Sequence, residues 1–312
     1  PMNKTGRLAG GAALVACMLA MPAAAQSILG MELDLEGSLG EGRFETGDYV
    51  PPVTQFVLNE TPFITTEVKP IFAYHEIPDG FVTGGGRVLA GAVQGRIALT
   101  ERLAIIATTD GYADVDFDSV LPDTDGFLDV AAGVKYAVIS DPDAGNIVSL
   151  GLRYTAPVGN VDTAGIDLTG AGNGYLNAFV SGAKVYGWGL QVQGSAGAQL
   201  ALSDENWSYL HAHGHANLEV LPGVFPLVEA NMILPVDGGD RVPGASLTGA
   251  DIFDIGASDP QPILSLGIGT RLRATDNVIL GAAVEGNVLD IGADTADSVY
   301  GWRVTTDLTI HF

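Results

Sequence analysis

The sequence predicts an all-β protein, a transmembrane antiparallel up-and-down β-barrel of about twelve strands. Three observations support this prediction: an N-terminal signal peptide, a series of short segments with period-two patterning, and a last strand that alternates to the final residue, Phe312. Hydrophobic residues make up 47% of the chain, yet no segment after residue 25 is long and apolar enough for a membrane helix. A transmembrane barrel needs a high apolar content delivered in short segments.

The N-terminus predicts secretion. Lys4 and Arg7 precede an apolar or glycine run over residues 8–21, and Ala23-Ala24-Ala25 offers an A-x-A cleavage site. Residues 1–25 therefore have the layout of a cleaved signal peptide, since the run is shorter than the roughly 20 apolar residues of a spanning helix. The alternative is lipoprotein processing at Cys17. Cleavage after residue 25 leaves no cysteine, and so no disulfide or thiolate metal site.

The mature chain is strongly acidic. Cleavage removes two cationic residues, so the net charge of -23 becomes -25. Nucleic acid is therefore not expected as a partner, because binding it requires Lys and Arg to neutralise phosphates. Two clusters of aspartates are expected to form a solvated exterior, with Ca²⁺ or Mg²⁺ bridging to lipopolysaccharide as an alternative. The clusters are Asp114, Asp116, Asp118, Asp123 and Asp125, and Asp237, Asp240, Asp251, Asp254 and Asp259.

From residue 64 the chain divides into segments with the period-two patterning of barrel strands. Their connections alternate between tight turns, such as Thr100-Glu101-Arg102 and Ala274-Thr275-Asp276, and longer loops. Short turns and long loops are typical of the periplasmic and extracellular ends of outer-membrane barrels. An even number of strands places both termini in the periplasm. The predicted strands are 64–75, 85–99, 103–116, 127–140, 146–156, 175–186, 188–202, 207–221, 225–235, 262–273, 278–290 and 298–312, and the predicted outer loops are 76–84, 117–126, 157–174, 236–261 and 291–297.

The last predicted strand has the clearest alternation. Such a pattern excludes a helix, which would distribute both sets of residues around its circumference. The alternative is the edge strand of a soluble sandwich. One face holds Tyr300, Trp302, Val304, Thr306, Leu308, Ile310 and Phe312, and the other holds Gly301, Arg303, Thr305, Asp307, Thr309 and His311.

Two resemblances extend this interpretation. An amphipathic last strand that ends in Phe312 resembles the assembly signal of Gram-negative outer-membrane barrels, which implies delivery to the barrel-assembly machinery. Residues 59–63, 66–70, 133–136 and 156–159 resemble short glycine- or proline-centred stretches of the outer-membrane transporters associated with aromatic-compound degradation by the phenol meta-pathway. No site residue is transferred from that second resemblance.

Residues 26–63 do not fit the strand pattern. We interpret them as an N-terminal segment ahead of the barrel domain at 64–312, either a periplasmic extension beneath the barrel or a plug that enters its lumen. The extension is the preferred alternative from sequence.

Period two also assigns the residues expected to line the lumen. Seven of the twelve mature Lys and Arg residues fall on this face, which avoids the roughly 2–4 kcal/mol cost of a lipid-facing cation at mid-depth. These side chains could line a polar pore or cross-link a closed interior, and the sequence leaves both open. The predicted lumen-lining residues are Glu67, Lys69, Gln94, Arg96, Asp129, Lys135, Arg153, Gln191, Gln193, His211, His213, His215, Glu229, Asn231, Arg271, Arg273, Glu285, Arg303 and Asp307.

The histidine triplet His211, His213 and His215 is the most specific local motif. Alternate histidines on one strand face suit a transition metal or a pH-sensitive gate. The third interpretation, which we favour, is a set of hydrogen-bonded histidines in the lumen. If the next turn is centred on Gly223, paired residue numbers sum to 446, so that Asn217 faces Glu229.

No enzymatic motif such as G-x-S-x-G or H-E-x-x-H occurs, and no cofactor or metal is predicted. The predicted function is an outer-membrane channel or transporter for passive passage of small solutes, with aromatic or hydrophobic nutrients as the suggested class. The alternatives are a closed structural or assembly barrel and an outer-membrane lipid hydrolase. The expected partners are outer-membrane lipid, lipopolysaccharide, the barrel-assembly machinery and a small-molecule solute.

Overall fold

A computed structural model of the chain describes residues 27–28, 31–32, 39–289 and 296–312. The predicted signal peptide and most of the predicted loop 291–297 lie outside these residues. The chain divides into two units, residues 1–36 and residues 37–312. In the first unit, Ser27–Ile28 pairs antiparallel with Met31–Glu32. Within the described residues, no helix is long and apolar enough to cross a membrane.

The second unit is built on one closed antiparallel sheet of twelve strands, which confirms the predicted fold class. Each strand pairs with its neighbours in sequence, and the first strand also pairs with the last. Two strands are interrupted once each. The strands are β1 (Glu67–Ile77), β2 (Gly86–Ala98), β3 (Leu103–Thr109 and Gly111–Phe117), β4 (Thr124–Phe127 and Val130–Asp141), β5 (Asn146–Ala156), β6 (Tyr175–Val185), β7 (Leu190–Ala201), β8 (Ser208–Leu218), β9 (Val224–Asp237), β10 (Ile263–Thr275), β11 (Val278–Asn287) and β12 (Trp302–His311).

The interruptions in β3 and β4 lie beside each other in the wall. The break in β3 falls at Asp110 and that in β4 at Leu128 and Asp129. Two backbone hydrogen bonds span the region, from Val93 N to Asp110 O at 2.8 Å and from Leu128 N to Gly111 O at 2.9 Å. The wall therefore stays continuous although the strand ladder is interrupted.

The connections alternate in length around the whole barrel. Residues 99–102, 142–145, 186–189, 219–223 and 276–277 form the short-turn end, whereas residues 78–85, 118–123, 157–174, 202–207, 238–262 and 288–301 form the long-loop end. The alternation predicted from the sequence is thus present, with an additional loop at 202–207.

Burial alternates along the strands as period two requires. In β12, Arg303, Thr305 and Asp307 are buried inside the barrel, whereas Trp302 and Val304 are exposed on its outer face. The outer face is rich in exposed Leu, Val and Ile along the other strands as well. An apolar exterior around a polar interior is the arrangement of a barrel surrounded by lipid.

Candidate functional site

The barrel interior is filled by residues 49–65, here called the plug. The chain reaches the interior from the short-turn end, where Gly40 N donates to Ala98 O at 2.9 Å. The plug turns back at Gln55, whose carbonyl oxygen accepts hydrogen bonds from the amides of Leu58 and Asn59. Every plug residue is buried. Of the two alternatives for this segment, the contacts described below match the plug.

The two arms of the plug pack on each other near the short-turn end. The ring of Tyr49 stacks on that of Phe63 with centroids 3.8 Å apart, and Phe44 meets Phe63 edge-on at 5.2 Å. Small wall residues such as Ala104 and Ala137 leave room for these rings. Aromatic packing therefore fixes the base of the plug.

A buried ion-pair network holds the descending arm of the plug, which follows the turn at Gln55. Glu60 accepts hydrogen bonds from Arg96 Nε at 2.9 Å, Arg96 Nη2 at 2.8 Å and Lys135 Nζ at 2.8 Å. Burial disfavours the Glu60 carboxylate, but Arg96 and Lys135 outweigh that effect and hold the pKa of Glu60 well below its usual range. Lys135 also donates to Thr61 O at 2.7 Å.

A second pair of cationic side chains binds the ascending arm of the plug, which precedes the turn at Gln55. Arg271 Nε donates to Pro51 O at 2.8 Å, its Nη2 donates to Pro52 O, and Lys69 Nζ donates to Pro52 O at 3.1 Å. Both cations also pair with Asp307. The prolines present carbonyl oxygens without an N–H of their own, so a cationic wall complements this part of the plug.

Glu229 receives the hydrogen bonds of the next two plug residues. Its carboxylate accepts from Val53 N at 2.9 Å, Thr54 N at 2.6 Å and the Thr54 hydroxyl. His215 Nδ1 lies 2.6 Å from the same carboxylate. A carboxylate that faces two backbone amides satisfies buried donors that would otherwise lack partners.

Wall side chains, most of them neutral, satisfy much of the remaining plug backbone. Gln191 both accepts from Val50 N at 3.0 Å and donates to Val50 O at 2.8 Å. The other contacts of this kind are Gln94 Nε2 to Phe56 O at 2.6 Å, Arg153 Nη1 to Val57 O at 2.7 Å and Ser149 Oγ to Pro62 O at 2.6 Å. The wall thus recognises the plug mainly through its main chain.

The histidine triplet is part of this hydrogen-bonded interior. His211 Nδ1 lies 3.1 Å from His213 Nε2, and His213 Nδ1 lies 3.0 Å from Asn231 Oδ1. The remaining ring nitrogens contact Asn177, Asn217 and Glu229, so both nitrogens of each ring have a partner. This supports the hydrogen-bonded interpretation. In the part of the chain that the structure describes, no three metal-ligating side chains meet at a common point.

The predicted register of the histidine strand is wrong by two residues. His215 faces Glu229 and His213 faces Asn231, so paired numbers sum to 444 rather than 446. The turn closes one residue earlier than expected, with Gly223 at a φ of 76° and Val220 N donating to Val224 O at 3.0 Å. A shift by two keeps each side chain on its predicted face.

The loop over residues 238–262, here called the long loop, folds into the barrel above the plug. Asp251 accepts hydrogen bonds from Arg303 Nη1 at 3.1 Å and Nη2 at 2.6 Å, and the Arg303 guanidinium lies 5.5 Å from the ring centroid of Phe56. Asp254 pairs with Arg241 at 3.2 Å, and burial raises its pKa. The prediction that these two aspartates belong to a solvated exterior is therefore wrong.

The predicted lumen residues can now be compared with their positions. Seventeen of the nineteen are buried inside the barrel, although the lumen that they line is occupied. Asp129 is instead half-buried at the wall interruption, where it accepts from the amides of Gly159 and Gly170, both at 2.9 Å. Arg273 is half-buried, with its guanidinium 4.7 Å from the Phe225 ring centroid.

Sequence reasoning missed several interior groups, among them His75, Ser149, Asn177 and Asp251. Period two would have found His75 and Ser149, because each shares a face with a predicted lumen residue on its strand, whereas no lumen residue was predicted on the strand that carries Asn177. No sequence signal marks Asp251, which lies in an aperiodic loop. Between the plug and the long loop a cavity of about 40 Å³ remains, lined by Arg153 among others, which is room for a few water molecules.

Comparisons with known proteins bear on the fold. No family matches the sequence, and no curated protein is significantly similar to it. An outer membrane channel from Pseudomonas putida F1 is 15% identical, with a TM-score of 0.56 over 85% of this chain and 100% of that chain. The NanC porin (6% identical, TM-score 0.47, 78% and 98% covered) and the KdgM porin (11%, 0.42, 78% and 99%) are less similar.

The similarity to the first of these structures, at 15% identity, shows the fold alone: a twelve-strand barrel of the outer-membrane type. The resemblance to the transporters of aromatic-compound degradation is not confirmed, since no family match supports it.

Proposed function

We propose that this chain is an outer-membrane channel for small solutes, closed by the plug and opened when the plug leaves the lumen. The observation that supports this is the chemistry of the plug contacts. The wall holds the plug through ion pairs and hydrogen bonds, such as those of Glu229 with Val53 and Thr54. A lumen that only needed filling would be stabilised as well by apolar packing, since buried ions carry a desolvation cost.

The same contacts describe the open state. Without the plug, the wall would present charged and amide side chains to water, which is the lining of an aqueous pore. We further propose that the long-loop end faces the outside and that the solutes are small aromatic or hydrophobic nutrients. Passage is passive under this proposal.

A disulfide between plug and wall tests the closing role of the plug. A Cβ added at Gly267 would lie 2.9 Å from Thr54 Cγ2, so cysteines at both positions are within disulfide reach. The double variant T54C/G267C should show no channel events in planar bilayers when oxidised. Reductant should restore the events seen with the wild-type chain.

The two single-cysteine variants are the matched controls and should not respond to oxidant. If the oxidised double variant conducts like the wild type, the plug does not close the pore. If no variant conducts, including those that weaken the plug contacts, the barrel is a closed structural one. Release of fatty acid from phospholipid vesicles would instead favour the hydrolase.

A further inference from the structure

The long-loop end contains an apolar cavity that the channel proposal does not use. Its volume is about 210 Å³, and all fourteen residues that line it are Val, Leu, Ile or Phe. The lining comes from the ends of β1 and β3 and from separate loops, which contribute residues such as Phe81, Val120, Ile166 and Leu247. Loops at the end of a polar barrel have no need of a shared apolar chamber, since solvated loops are usually polar.

The mouth of this cavity is formed by a strained valine. Val120 has a φ of 68°, and Leu121 N donates to Ser119 O at 2.7 Å, which makes Val120 the centre of a three-residue turn. A positive φ is a genuine outlier for a β-branched residue, and turns of this kind are rare and strained. Val120 is also 73% exposed, and Val82 at the same mouth is 54% exposed.

We infer that this cavity is a binding site for a small hydrocarbon of one or two rings. An apolar cavity of roughly 150 Å³ binds benzene, so 210 Å³ admits a ligand of that size or somewhat larger. The lining offers no hydrogen-bonding side chain, which selects against ligands that carry hydroxyl or charged groups. The exposed valines at the mouth provide an apolar path from water into the site.

The position of the cavity suggests a capture role. Phe253 and Leu168 line both this cavity and the small one beside Arg153, so the two are separated by shared side chains. A ligand bound among the loops would therefore lie next to the top of the plug. The role in uptake rests on the proposed channel function, whereas the binding site itself does not.

Binding of radiolabelled naphthalene to the full chain in lipid nanodiscs tests the inference. Equilibrium dialysis against empty nanodiscs separates protein binding from partition into lipid. The wild-type chain should show one saturable site, and naphthalene should bind more tightly than 1-naphthol, whose hydroxyl would be buried without a partner.

Two variants change the cavity in opposite ways. L247W fills it, and V120G removes an apolar wall while relieving the backbone strain, because glycine adopts positive φ freely. Each should weaken naphthalene binding by at least about tenfold, a change of roughly 1.4 kcal/mol. V236W also introduces a tryptophan, at an exposed position on the outer face of β9, and should bind like the wild type.

Naphthalene binding that never saturates in the wild-type chain would contradict the proposed site. Saturable binding that L247W and V120G leave unchanged would contradict it as well. V120G keeps the test decisive if L247W fails to fold. A chain that conducts but does not bind naphthalene removes this inference alone, whereas a chain that binds but never conducts removes only the proposed channel.

Discussion

Several hydrogen bonds from the plug converge on Glu229 in β9. It accepts hydrogen bonds from two successive backbone amides and from the Thr54 hydroxyl, and it contacts His215 from the opposite side. A single carboxylate therefore connects the plug to the histidine triplet. Hydrogen bonds to a charged group contribute roughly 1.5–3 kcal/mol each, so this residue is expected to dominate the closed state.

Replacing Glu229 with Gln should open the channel more often. The amide keeps the size of the side chain but loses the charge and directs a donor group towards the plug amides. Loss of one charge-assisted bond corresponds to an increase of at least about tenfold in open probability, measured by single-channel recording. Glu219→Gln, at an exposed short turn, is the control and should behave like the wild type. If the two variants had the same open probability, Glu229 would not hold the plug.

Glu60 allows a pH prediction of definite sign. Its folded-state pKa is held well below the unfolded value of about 4.3, so its stabilising effect is present above that value and is lost only as the pH falls through the lower folded value. Acidification from pH 7 to pH 5 should therefore leave the Glu60 contact intact. Hydrogen exchange of the amides of residues 59–61 and 63, corrected for the intrinsic effect of pH, should show equal protection at both pH values.

The variant Glu60→Gln should lose that protection at pH 7 and pH 5 alike. Weaker protection of the wild-type chain at pH 5 would mean that the contact titrates in a range where this carboxylate should stay ionised. For the histidine triplet, a shift in ion selectivity on acidification remains a prediction, to be tested by replacing His211, His213 and His215 with Gln.

At the scale of the strand pair, the β8–β9 hairpin shows how the faces and the register of a strand are determined separately. The side-chain period assigns the face, whereas the turn assigns the partner. Cysteines at Ala216 and Val228, which are directly paired, should form a disulfide readily. Ala216 and Ala230, the pair expected from the sequence, are diagonal neighbours and should cross-link poorly, because their separation is about 7–8 Å rather than 4.5–5.5 Å. Gel mobility with and without reductant measures both cross-links. If the second pair cross-linked more readily than the first, the register in which paired numbers sum to 446 would be correct.

The elements differ in how far the sequence predicts them. Strands such as β12 are predicted well because one face meets lipid and the other a polar interior. The polarity of each residue therefore indicates the face on which it lies. The path of the plug is not predictable in this way, because its backbone bonds with distant wall residues such as Glu229 and Arg271 rather than with itself. Asp251 was misplaced for the same reason: only its contact with Arg303, 52 residues away, gives it an interior position.

For the molecule as a whole, the even number of strands places both ends of the barrel domain on one side. Phe312 N donates to Thr66 O at 3.0 Å, so the last residue meets the segment that enters β1. A protease site inserted at Gly165, which has open space around it, should be cut in intact cells. A site at the Thr275-Asp276 turn should be protected. Gly172 in the same loop is less suitable, because an added Cβ would meet Ser203. Cleavage only at the turn would invert the proposed orientation.

Phe312 should be needed for assembly of the barrel. Its side chain is exposed on the outer face, so deleting it removes little packing, while its amide closes the seam between β12 and β1. Deletion should lower the heat-modifiable, folded fraction recovered from outer membranes, whereas Phe312→Tyr should preserve it. Full recovery after deletion would make the terminal resemblance accidental.

The path of the plug also determines how it would respond to mechanical force. Both of its arms leave through the short-turn end, so a pull on the chain ahead of residue 49 would act towards that opening. It would load the stacking of Tyr49 on Phe63 first and then the contacts of Val50 with Gln191 and of Pro51 with Arg271, while Glu60 still held the other arm. Contacts that bear the force one at a time break one after another at low force. The plug would therefore unzip rather than shear, and the wall would not need to open.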